Sequence, residues 1–129
     1  MLPRAHRLTK PADFRRVIRS GRVSRQSTVI VYGSVVPGGL AGATNHDGGQ
    51  LPRIGVTVSK AVGGSVVRHS VARVIRHVIG GMVMVLPPDS LWVVRALPKA
   101  GVAMNRGQIA TDVRAGVEQI VGALVLERA

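Results

Sequence analysis

The sequence predicts an α+β fold, a small two-layer α-β sandwich in which helices pack on a sheet of three or four strands. Three observations carry that expectation. Strand-like and helix-like apolar periods alternate along the chain, so both kinds of element share one core. Gly21, Pro37, Gly80-Gly81 and Pro98 each stand where a periodic segment stops. The 129 residues suit a single core, and 46% of them are apolar, too many for a disordered chain.

The elements follow in order. "LTKPADFRRVIRSG" reads as a first helix, with Thr9 as N-cap, Pro11 in the first turn and Gly21 as the stop. Phe14, Val17 and Ile18 share its apolar side, and Arg15, Arg16, Arg19 and Arg22 make the remainder cationic. "STVIVYGSVV" is β-branched and bounded by Pro37, hence a strand. Residues 37–50 hold five glycines and no periodicity, which predicts a mobile loop. "RIGVTVSK" alternates Ile54, Val56 and Val58 with small or polar residues, as a strand with one buried face does. A second helix is expected from Gly64 to Ile79, and "SLWVVRAL" is a further strand. In the last segment Ile109, Val113, Val117, Ile120 and Leu124 recur at helical spacing, predicting a closing third helix. Without a repeat or an evident linker, residues 1–129 are read as one domain.

Charge narrows the function. Eighteen Lys and Arg oppose six Asp and Glu, a formal net charge of +12 with a pI near 11.9. A folded domain with that excess presents a broad positive surface, whose usual partner is a polyanion. The chain has no cysteine, which excludes disulfides, thiolate zinc sites and thiol catalysis. "MLPRAHRLTK" is cationic and lacks an apolar centre, and the longest stretch free of charged residues, 26–46, is broken by "PGGLAG". A soluble, cytoplasmic protein without secretory signal or membrane span is the expectation.

The second helix concentrates the charge. On a helical wheel Val67, Val71, Val74, Ile75 and Val78 gather on one arc. Ser65, His69, Arg73, Arg76 and His77 gather on the other, with Arg68 at the boundary and only Val66 and Ala72 straying. A solvated charged face normally mixes signs, because acid–base pairs four residues apart support a helix. No acid occurs from Arg53 through Pro88, so these cations repel one another unless an anion neutralises them. The preceding "SKAVGGS" sets Lys60 and paired glycines at the helix start, where free amides attract phosphate. It is not a nucleotide-triphosphate loop, since no Gly-Lys-Ser/Thr triplet occurs.

Catalytic groups are sparse. Asp13, Asp47, Asp89, Asp112, Glu118 and Glu127 are scattered singly, and the four histidines lack metal-ligand spacing. An electrostatic and positioning role is expected, with no catalytic residue and no protein-held metal.

"RIGVTVSKAVGGSVVRHSVARVIRH" resembles the central signature of the bacterial ribonuclease P protein subunit, the protein component of the tRNA-processing ribozyme. "RLTKPADFRRVIRSG" is similar to that family's opening helix, and "VIVYG" to its aromatic-bearing strand. The likeness spans about residues 4 to 124. It implies a ribosomal protein S5 domain 2-like sandwich with a left-handed β-α-β crossover, a hand that ordinary chain sterics disfavour. It also implies an accessory subunit that binds ribonuclease P RNA and the 5′ leader of precursor tRNA, with no further protein partner required. Leader removal would be done by the RNA with magnesium ions held mainly by that RNA. By position, Arg68, Arg73 and Arg76 keep the family's arginines, and with His69 and Lys60 they are the expected RNA contacts. His69 replaces the usual asparagine, Ser70 the second arginine of the signature and Ala72 a lysine. Phe14 and Tyr32 match the leader-cleft aromatics, Ile18 stands where another aromatic is common, and Thr57 and Lys60 fall on the strand lining the cleft. Phe14 could equally be a core residue, and Tyr32 could pack within its strand with the hydroxyl at the rim. A ribosomal-type structural RNA-binding protein is the alternative reading. A membrane-surface protein is a weaker one, because the apolar helix faces are needed for the core.

Overall fold

The computed structural model describes residues 6–35, 52–104 and 106–128, so loop 37–50 lies outside the described residues. In chain order the elements are α1 (Pro11–Ser20), β1 (Arg22–Arg25), β2 (Val29–Val35), β3 (Arg53–Thr57), α2 (Ser65–Gly80), β4 (Ser90–Ala96) and α3 (Arg106–Arg128). Short 3₁₀ turns at Lys60–Val62, Val83–Val85 and Pro98–Met104 complete the connections.

Two local details differ from the sequence expectation. The N-cap of α1 is Lys10, in extended conformation and without a side-chain cap, one residue beyond Thr9. Pro11 is the cause. It disfavours helical geometry in the residue before it, so the helix starts at the proline itself. Strand β1, "RVSR", carried no apolar alternation to announce it. It exists because β2 offers a partner, pairing Val23 with Tyr32 and Arg25 with Ile30. Just before β1, α1 ends where the Gly21 N–H donates to Val17 O at 2.8 Å. A Cβ at Gly21 would lie 2.5 Å from that same carbonyl oxygen.

The sheet has strand order β1-β2-β4-β3. β1 with β2 and β2 with β4 are antiparallel, whereas β3 with β4 is parallel, so β3-α2-β4 is a β-α-β crossover between neighbours. Alternation assigns each residue a face. Val29, Val31, Ile54, Trp92, Val94 and Ala96 meet α2 and α3 in the larger core, with Val71, Ile75, Ile79, Val113 and Val117 from the helices. This sheet and helix layer is the predicted sandwich. Ile30, Tyr32, Leu91 and Val93 point the other way and pack under α1 with Leu8, Val17, Phe14 and Leu97.

Close approaches hold the layers. Trp92, fully buried, lies over Gly33, where a Cβ would come within 2.7 Å of its ring. Its Nε1–H donates to Ser90 Oγ at 2.8 Å, so the one polar atom of the indole is satisfied. Asp112 of α3 is buried and accepts from Thr28 N at 2.9 Å, Thr28 Oγ1 at 2.6 Å and Gln108 Nε2 at 2.8 Å. It ties the last helix to the turn between β1 and β2. A carboxylate is well suited to that position because several donors can share its two oxygens.

Candidate nucleic-acid interface

Helix α2 is fixed by its valine and isoleucine side, which leaves its cations on the outside. Arg73, Arg76, His69 and His77 are exposed and Arg68 is half-buried. Among the described residues no carboxylate hydrogen-bonds or ion-pairs with Arg68, Arg73 or Arg76. The ridge therefore keeps its charge.

Two grooves flank this ridge and meet at His69. The first, about 280 Å³, runs between α2 and the edge strand β3 and is lined by Val56, Val58, Ser65, Arg68, His69, Ala72 and Arg76. Arg68 Nε is buried there without any hydrogen-bond partner. A buried guanidinium N–H left unpaired is costly, and an anion entering the groove would remove that cost. The second groove, about 380 Å³, lies between α2 and the start of α3 and is lined by Val66, His69, Ser70, Arg73, Val74 and Arg106. Ala72, off the apolar arc in the wheel, is buried beside the first groove, while Val66 remains 81% exposed at the second.

The candidate cleft residues lie on the opposite face of the sheet. Phe14 of α1 sits directly over Gly55 of β3. A Cβ at position 55 would fall 2.2 Å from the ring, so only glycine lets the phenyl descend that far. Thr57, two residues on, shares this face with Gly55. Ile18, one turn beyond Phe14 on α1, is 40% exposed and forms part of the open surface. Tyr32 requires a correction. It is only 8% exposed, packed among Leu8, Val17, Ile30, Leu91 and Val93, so its ring is no free platform for a stacked base. The cause is α1, whose Val17 settles against the sheet there and closes off the ring. Lys60 is exposed but belongs to the 3₁₀ turn before α2 and not to the strand.

The arginine ridge and the candidate cleft residues thus stand on opposite faces and share β3, whose Val56 lines the ridge groove while Gly55 and Thr57 face α1. Pairing also reveals cations that the sequence reading passed over. Arg25, Ile30, Arg95 and Thr57 form one cross-strand row on the cleft face, and both arginines are exposed. The signal was present in β4, where Arg95 interrupts a buried run, yet only the register set it level with Arg25 and Thr57. Among the described residues no three His, Asp or Glu side chains gather as metal ligands. No helix among them is long and apolar enough to cross a membrane.

Known proteins match this arrangement along nearly its whole length. The Ribonuclease P family profile aligns with residues 2–121. The ribonuclease P protein component of Corynebacterium diphtheriae is 42% identical over 122 residues, covering 93% of this chain and 97% of that protein. Its counterpart in Streptomyces avermitilis is 41% identical over 126 residues, covering 95% and 97%. Among solved structures, an RNase P protein from Staphylococcus aureus superposes with a TM-score of 0.65 at 27% identity, covering 94% of this chain and 92% of that one. The RNase P protein of Thermotoga maritima, at 16% identity and a TM-score of 0.69, shares the fold across 88% of this chain and 96% of its own. With whole-length relatives of one name and the signature residues placed on an unneutralised helix face, this chain belongs to the ribonuclease P protein family.

Proposed function

We propose that the chain works as the protein subunit of ribonuclease P by gripping the catalytic RNA with α2 while the other face of its sheet holds the 5′ leader of precursor tRNA. The observation that carries this reading is the acid-free ridge of Arg68, Arg73 and Arg76 lining open grooves, with Arg68 Nε buried and unpaired. Such a surface suits phosphates, which arginine's planar fork meets two oxygens at a time. The names of the relatives support a processing subunit over a ribosomal-type structural RNA-binder.

On the cleft face the row of Arg25, Arg95 and Thr57 supplies charge and a hydroxyl beside Phe14 and Ile18. Backbone phosphates are the target this set fits. With Tyr32 buried, base stacking contributes little, so leader binding is weakly sequence-specific. In this reading the ions and the cleavage step belong to the RNA, and the protein contributes binding, orientation and charge screening in the cytoplasm.

Reconstitution tests the proposal. Purified protein added to a bacterial ribonuclease P RNA at low magnesium should accelerate removal of the leader beyond the RNA alone. Equal rates with and without protein would return the alternative, a structural RNA-binder. In the same system Arg68→Ala and Arg73→Ala should each lower the log–log salt slope of RNA binding by about 0.7–0.9 per lost phosphate contact.

A further inference from the structure

The second groove places a cation from another helix beside the ridge. Arg106 opens α3, is exposed, and its Nη2–H donates to Ser70 Oγ of α2 at 3.4 Å. That contact is long and weak, and it leaves most of the five guanidinium donors free. Arg106 therefore shares one groove with Arg73 and His69. Among the described residues no carboxylate pairs with Arg73 or Arg106. The nearest carboxylate along α3, Asp112, has both oxygens engaged by Thr28 and Gln108. A cation in the first turn of a helix also opposes the helix dipole, so the placement does not serve the stability of α3.

By the resemblance drawn from the sequence, Ser70 stands in place of the second arginine of the family signature. Here a hydroxyl stands there, and an arginine from α3 reaches over it. We propose that Arg106 is an RNA-phosphate contact which restores, from a second helix, the charge absent at position 70, so that the RNA-binding surface spans α2 and α3. Val66 and Val74 also line this groove and offer apolar surface to the sugar edge of a backbone whose phosphates meet Arg73 and Arg106. The inference rests on the ribonuclease P reading above and extends it to a residue outside the signature.

The test measures binding of ribonuclease P RNA across a salt series for wild type, Arg106→Ala, Arg106→Lys and the double variant Ser70→Arg/Arg106→Ala. Arg106→Ala should keep its circular dichroism melting curve and lose about 0.7–0.9 from the log–log slope. Arg106→Lys should hold the wild-type slope, and the double variant should recover it. An unchanged slope in Arg106→Ala overturns the contact. A reduced slope that Ser70→Arg fails to restore overturns the replacement of position 70 by Arg106. Failure of the wild-type protein to bind the RNA would instead overturn the ribonuclease P reading, and this inference with it.

Discussion

The two faces of the sheet are built to different ends. The face under α2 and α3 is a continuous core, from Val29 and Val31 through Trp92 and Val94 to Ile54. The face under α1 is a smaller cluster, and beyond it the sheet continues into a row that carries exposed Arg25 and Arg95. Stability is concentrated on the first face, which frees the second to stay partly uncovered and charged. The same division lets α2 bury its valines and present its arginines, because the larger core already anchors it.

Four experiments break or sharpen that contrast. The largest loss is expected at Trp92, the largest fully buried side chain on the α2–α3 face. Trp92→Ala should cost about 3–5 kcal/mol in urea unfolding. A cost below 1 kcal/mol would mean that this face is not where stability resides. Asp112→Ala comes next. It strands the buried Thr28 N–H and hydroxyl and should cost about 3 kcal/mol, with Asp112→Asn recovering part of it. A neutral outcome would detach α3 from the hairpin it is argued to hold.

Gly55→Ala probes the α1 face. Its methyl would meet the Phe14 ring and should cost about 1–3 kcal/mol, relieved when Phe14→Ala is added. Additive costs would show that ring and glycine are not in contact. Arg95→Ala should change stability least, within about 0.5 kcal/mol. It should nonetheless weaken binding of leader-bearing precursor relative to mature tRNA in the reconstituted enzyme. Equal loss for both RNAs would remove Arg95 from the leader surface.

The periodic segments made much of the fold legible in advance. Helix α2 falls within a residue of its expected limits because valines at helical spacing and Gly80-Gly81 mark both its face and its end. The cationic ridge was equally legible, since a run free of acids from Arg53 through Pro88 has nothing nearby to neutralise it. What local pattern misled was the start of α1, where Pro11 overrode a good capping residue.

By itself, the sequence determined the class of fold, the amphipathic division of α2 and the excess of positive charge, because periodicity and composition are local properties of the chain. Tertiary structure alone decided which cations of different elements stand together. Strand register set Arg25 and Arg95 level with Thr57, helix packing carried Arg106 over Ser70, and the docking of α1 buried Tyr32. The physical reason is separation along the chain. Arg106 and Ser70 are 36 residues apart, and only the burial of the faces behind them brings such distant side chains into one groove.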